Sequence, residues 1–140
     1  MSIQWSNSQS LAYVPNGKLI TFTALHQAAF TQYIQVIDAA GTPIQFDLLG
    51  GGTANFPISG TGTTLDLFIN GGGKFIMQEG YQVQFANNGN KVSSVSATNP
   101  NQFFINGQIT GGGTLYVTED SGDNDYNDSS LAVQWFNSIG

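Results

Sequence analysis

Residues 113–136 read "GTLYVTEDSGDNDYNDSSLAVQWF". Two alternating runs, "GTLYVTED" and "SSLAVQWF", flank a core of acids and asparagines. In the first, Leu115 and Val117 form the apolar set and alternate with Thr114, Tyr116 and Thr118. In the second, Leu131, Val133 and Trp135 alternate with Ala132 and Gln134, which assigns Trp135 to the core. Period-two alternation rich in β-branched and aromatic residues marks half-buried strands, so the stretch predicts strand, loop, strand.

The same reading extends along the chain. In "GYQVQFAN", Tyr81, Val83 and Phe85 share one face, and "KLITFTAL" and "QYIQVID" alternate less cleanly. Asn-Gly pairs at 16–17, 70–71, 88–89 and 106–107 tolerate the positive φ of tight turns. They predict hairpins in "QVQFANNGNKVSSV" and "NQFFINGQIT". Gly-Gly-Gly runs at 50–52, 71–73 and 111–113 mark further turns or bulges. No stretch has helical periodicity and no composition break divides the chain. The prediction is one all-β domain over residues 1–140, an antiparallel sandwich or barrel.

Composition narrows the functions open to it. The formal net charge is −6, from nine acids against three lysines and no arginine. Five of the nine acids (Glu119, Asp120, Asp123, Asp125 and Asp128) lie in ten residues, and the remainder of the chain is close to neutral. The natural partner of so local a charge is a cation. Nucleic acid is excluded as a partner, because no basic patch could neutralise phosphates. Cysteine is absent, so disulfides and thiolate metal sites are excluded. No apolar run reaches the roughly 18 residues of a membrane helix, and the first residues lack signal-peptide features. A soluble chain that does not insert in a membrane is expected, its compartment unassigned.

An oxygen-rich set of crowded carboxylates suits calcium, which accepts six to eight oxygens in flexible geometry, better than magnesium. Two such ions balance five carboxylates better than one does. Asp123, Asp125 and Asn127 fit the first half of an EF-hand loop. Position six is Asp128 rather than glycine, position twelve is Gln134 rather than glutamate, and the flanks are strands. An EF-hand is therefore rejected, and an ordinary solvated acidic loop stands as the alternative to a calcium site.

"EDSGDNDYNDSSLAVQW" closely resembles the C-terminal signature of the LecB, or PA-IIL, family of calcium-dependent bacterial lectins that bind fucose and mannose. A weaker likeness runs through "VPNGKLITFTALHQAAFTQYIQV". The resemblance implies a sandwich of about nine strands in which two adjacent Ca2+ ions directly coordinate two hydroxyls of a monosaccharide. By position it makes Glu119, Asp123, Asp125, Asn127 and Asp128 metal ligands, with Asp125 and Asp128 bridging the ions. Asp120 would mainly accept a hydrogen bond from the sugar. It further implies mannose- or fucose-type glycans as partners and a homodimer or homotetramer as the assembly.

Two ligands are expected from elsewhere in the chain. Gln27 occupies the position of an early-loop asparagine, followed by Ala28 and Ala29 where small residues influence the choice of sugar. The alanines lack hydroxyls, which in the family accompanies mannose preference at least as readily as fucose preference. Gly140 stands where the family's terminal carboxylate reaches a neighbouring protomer, two residues further past the tryptophan. Surplus length lies around "LLGGGTANFPISGTGTTLDLF", where an inserted hairpin or a different oligomer interface would explain it. His26 is expected as a loop or surface residue rather than a ligand, since calcium prefers oxygen. Trp5, Phe103 and Phe104 could stack on sugar rings, though such residues more often fill a core or an interface.

Three functions follow. A calcium-dependent lectin without catalytic activity leads, and a calcium-stabilised structural or adhesion module that binds no sugar is the alternative. An enzyme is disfavoured. Ions would occupy the acids a glycosidase needs, and one histidine without cysteine offers no nucleophilic constellation.

Overall fold

The computed structural model describes residues 3–11, 13–89, 93–97, 101–120 and 124–138. Among them are ten strands, one more than expected because of the two-residue Gln9–Ser10, and no helix. In chain order they are β1 (Gln9–Ser10), β2 (Leu19–Ile37), β3 (Gln45–Leu48), β4 (Thr53–Asn55) and β5 (Ile58–Ile76), followed by β6 (Gln82–Asn87), β7 (Ser94–Ala97), β8 (Asn101–Ile105), β9 (Gln108–Glu119) and β10 (Ser129–Phe136). Hydrogen-bonded neighbours run β4-β3-β5-β2-β10-β9-β7, with β6 between β1 and β2, and β8 on β9. The pairings are antiparallel, and the sheet folds over one core as a β-sandwich.

The two 19-residue strands make that folding possible. Strand β2 keeps β5 on one side from Leu19 to Ile34. On its other side the partner changes. Residues from Leu19 to His26 pair with β10, and residues from Gln32 to Ile37 pair with β6. Register shifts against β5 between His26 and Gln32 mark the bend. Extra residues on one strand of a pair increase local twist and turn it out of plane. "KLITFTAL" and "QYIQVID" are therefore the two halves of one bent strand.

Alternation places the core. Ile20, Phe22 and Ala24 of β2 join Leu131, Val133 and Trp135 of β10 beneath Ile34, Val36, Val83 and Phe85. In β9 the faces are opposite to expectation. Tyr116 and Thr118 are buried, while Leu115 is 38 % exposed. The larger ring takes the inside because its body packs 6.2 Å from the ring of Phe85 while its hydroxyl donates to the Ser10 carbonyl at 3.2 Å. Burial pushes the Tyr116 hydroxyl up to about 12. A buried tyrosine with a partner buries more apolar area than leucine.

The turn signals divide into three groups. Asn106 and Gly107, both at positive φ, close the hairpin of β8 and β9 as expected. The hairpin read into "QVQFANNGNKVSSV" does not form, because β6 pairs with β1 and β2 while β7 pairs with β9. Asn88 serves β2 instead, its backbone N–H donating to the Thr31 carbonyl at 3.1 Å and its Oδ1 accepting from the Thr31 N–H at 2.9 Å. Residues 50–52 turn between β3 and β4, which form a hairpin whose first strand largely precedes the surplus segment. Asn70, at φ 59°, lies in the register shift of β5 that leads into Gly72.

Gly73 illustrates why a glycine run sits inside a strand. A Cβ there would lie 2.5 Å from the Phe46 ring and 2.7 Å from that of Phe22. Those rings pack edge to face with centroids 5.0 Å apart. At Gly72 the nearest atom is Leu49 Cδ1 at 3.6 Å, an ordinary contact. Gly73→Ala should therefore destabilise by about 1–3 kcal/mol through overpacking. Gly72→Ala should stay within about 0.5 kcal/mol. Urea denaturation of both variants measures the difference.

Candidate functional site

The acidic stretch is the loop between β9 and β10, which pair from Ser129↔Thr118 to Phe136↔Gly111. Those two well-formed strands hold its ends in place. At its mouth the Asp128 N–H donates to the Thr118 carbonyl at 3.2 Å, and the buried hydroxyls of Thr118 and Ser129 bond each other. The loop faces a gap in the pairing of β2. Strand β10 ends at Ser129↔His26 and β6 begins at Gln32↔Asn87, leaving residues 27–31 with neither as partner. Gln27 closes one side of the gap, its backbone N–H donating to the Asp128 carbonyl at 2.9 Å.

Three carboxylates meet there. Oxygens of Glu119, Asp120 and Asp128 lie within 4.8 Å of one another, and all three residues are buried. The backbone organises them. Asp128 Oδ2 accepts from the Asp120 N–H at 2.7 Å. Glu119 Oε2 accepts from the Asp125 N–H at 3.0 Å and the Tyr126 N–H at 3.4 Å. Asn124 and Tyr126 adopt positive φ, 60° and 52°, which winds this part of the loop over the Glu119 carboxylate. Asp120 Oδ2 accepts from Gln32 Nε2 at 2.7 Å.

Burial pushes the Asp128 carboxyl up to about 8, helped by its hydrogen bond with Glu119 and by the negative charges of Asp120 and Glu119. The hydrogen bond from the Asp120 backbone pulls the other way. The two lysines among the described residues lie elsewhere. Lys18 Nζ donates to the Asn137 carbonyl at 3.0 Å, and Lys74 stands opposite Asp47 on β3. An all-oxygen cluster of this kind suits a hard divalent cation, and the three carboxylates fit calcium chemistry.

Of the residues singled out from the sequence, Glu119, Asp120 and Asp128 form the cluster, and Gln27 borders it through its backbone. Asp125 and Asn127 are exposed on the same loop, and the Asp125 carboxylate is not part of the cluster. Ala28 is buried and Ala29 exposed in the gap of β2. Asp123 and Gly140 lie outside the described residues.

His26 differs from expectation. It is a buried strand residue, 5 % exposed, with Nδ1 3.2 Å from the Gly62 carbonyl oxygen and its ring 5.4 Å from that of Phe68. Its imidazole fills space that Gly60 leaves open, since a Cβ at residue 60 would collide with the ring. Phe103 and Phe104 are exposed on β8, which pairs with the other end of β9 from Glu119. That separation is roughly 25–35 Å at the rise of a strand, so they are not beside the acids. Trp5 is half-buried.

The residue that sequence reading missed is Gln32. Its signal was a glutamine in the inward register of "QYIQVID", two residues before Ile34 and four before Val36.

A family profile described as "Fucose-binding lectin II (PA-IIL)" matches residues 12–137. Among solved structures, the Chromobacterium violaceum lectin CV2L, in complex with alpha-methyl-fucoside, is similar with a TM-score of 0.65 and 23% identity, over 91% of this chain and 94% of that one. The Ralstonia solanacearum high-affinity mannose-binding lectin gives 0.63 and 26% identity, over 91% and 94%. The C-terminal domain of the BC2L-C lectin from Burkholderia cenocepacia gives 0.65 and 22%, over 91% and 93%. No curated protein matches the chain. Fold and profile together define a carbohydrate-binding β-sandwich without enzymatic activity. The chain belongs to the fucose-binding lectin II (PA-IIL) family.

The raised Asp128 carboxyl has a consequence for stability. Without a cation the folded chain holds this proton up to about pH 8, whereas the unfolded chain releases it near the ordinary carboxyl value of 3.8. Between those values the native state binds more protons, so its stability falls as pH rises. Chelator-treated protein should therefore melt at progressively lower temperature from pH 5 to pH 8. Asp128→Asn should flatten that slope. Thermal denaturation across the range checks both.

Proposed function

We propose that residues 1–140 form a single lectin domain that binds mannose- or fucose-type saccharides through two adjacent Ca2+ ions. The observation that carries this reading is the cluster of buried, mutually close carboxylates of Glu119, Asp120 and Asp128 at the β9–β10 loop. Glu119, Asp123, Asp125, Asn127 and Asp128 are the proposed ligands from the loop. The Gln27 side-chain oxygen and the Gly140 carboxylate are the proposed ligands from outside it. Asp120 receives a saccharide hydroxyl, and Ala28 and Ala29 face the sugar.

The chemistry is that of a hard-ion site. Calcium takes oxygen ligands at variable number, so neutral hydroxyls can fill positions that carboxylates leave open. One hydroxyl is a weak ligand, but two vicinal ones held by two ions gain from each other. The mannose-binding lectin of Ralstonia solanacearum and the fucoside complex of CV2L support this class of ligand. A homo-oligomer, dimer or tetramer, is the proposed assembly.

Calorimetric titration tests the reading. Calcium should bind with two ions per chain, and methyl mannoside or methyl fucoside should bind only after calcium and be lost on adding chelator. Asp125→Ala should lower saccharide affinity at least a hundredfold and reduce the calcium stoichiometry. Calcium uptake that raises the melting temperature by ligand linkage, with no response to any saccharide, would instead favour a calcium-locked structural module.

A further inference from the structure

Gln32 is fully buried, at 0 % exposure, although its side chain is an amide. It lies beside the acid cluster where β6 begins to pair with β2. Its Nε2 donates to Asp120 Oδ2 at 2.7 Å and to the Phe30 carbonyl at 3.1 Å. Both amide hydrogens are thereby used. The orientation is forced, because turning the amide over would aim its oxygen at two acceptors.

That orientation has a cost. Gln32 Oε1 is buried with no hydrogen-bond partner among the described residues. A buried acceptor without a partner is unfavourable, and an apolar side chain of similar volume would avoid the penalty. Packing alone does not favour glutamine here. What this side chain does, and methionine or leucine could not, is tie the Asp120 carboxylate to the backbone of residues 27–31.

The other tethers of that segment leave Phe30 aside, and one of them is the pairing of Ala28 with Gly62 of β5. The Gln27 N–H reaches the Asp128 carbonyl at 2.9 Å, and Thr31 exchanges two hydrogen bonds with Asn88. Phe30 lies between, and the Gln32 amide holds its carbonyl. Ala28 and Ala29 precede it in the same segment.

We propose that Gln32 is the positioning residue of the saccharide site. It fixes one oxygen of Asp120 and the carbonyl of Phe30 in a common frame. The second oxygen of Asp120 and the segment carrying Ala28 and Ala29 are then presented to the sugar already ordered. Binding to an ordered segment avoids the cost of fixing it at the moment of association. The inference rests on the lectin reading above and adds to it a residue that touches neither ion nor saccharide.

The test separates the two. Gln32→Met keeps the volume and removes both donors, and Gln32→Leu serves as a second variant, with urea denaturation verifying that each folds. Calcium affinity should stay within about threefold of the parent. Affinity for methyl mannoside at saturating calcium should fall at least tenfold. Backbone amides of residues 28–31 should exchange with deuterium faster than in the parent. Equal losses of calcium and mannoside affinity, or an unchanged mannoside affinity, would overturn the proposal. If the parent takes up calcium but no saccharide, the lectin reading fails. Exchange at residues 28–31 then decides the clamp alone: faster exchange in the variants supports it, and an unchanged rate refutes it.

Discussion

Three carboxylates, those of Glu119, Asp120 and Asp128, are held within 4.8 Å of one another and largely out of water. At such separations each pair of like charges repels by about 3 kcal/mol in a medium of effective dielectric near 20. Backbone N–H groups of Asp120, Asp125 and Tyr126 and the amide of Gln32 offset part of this by hydrogen bonding. They supply partial positive charge only. The raised Asp128 carboxyl expresses what is left over, since a proton neutralises one member of the set. A fold that concentrates negative charge in this way can relieve it with a proton or with a bound cation.

The architecture explains where that concentration is tolerated. Strand β2 exchanges β10 for β6 across residues 27–31, so a gap opens in an otherwise continuous ladder. The β9–β10 loop borders the gap, and its acids accept from the loop's own backbone N–H groups at Asp120, Asp125 and Tyr126. Register shifts, positive φ values at Asn124 and Tyr126, and the orphaned oxygen of Gln32 gather around the same few residues. Local irregularities of this kind persist where surrounding structure enforces them, and here the flanking strands do so. The rigid sandwich supplies the precision and the loop supplies the charge.

Much of this was legible in the sequence because its signals were local. Alternation in "SSLAVQWF" identified Leu131, Val133 and Trp135 as core, and the Asn106–Gly107 turn closed its hairpin. The acid loop between two strands was read from composition and flanks alone. What escaped depended on partners distant along the chain. Whether β7 pairs with β6 or β9 is decided by sheet topology, not by an Asn-Gly pair. Tyr116 displaced Leu115 from the inside because Ser10 and Phe85 await it there. His26 is buried because Gly60 leaves room for its ring, and Gln32 matters because Asp120 sits 88 positions away. Alternation states that a strand has two faces, but three-dimensional partners decide what each face holds.

The central claim is that the carboxylates of Glu119 and Asp128 belong to a proposed two-ion site whose coordination saccharide hydroxyls complete. Anomalous diffraction from crystals grown with calcium and methyl mannoside tests it most directly. The account predicts two calcium peaks against the β9–β10 loop, with adjacent hydroxyls of one sugar ring bound to both. A single peak, peaks away from Glu119 and Asp128, or a sugar seated elsewhere on the sandwich would contradict it.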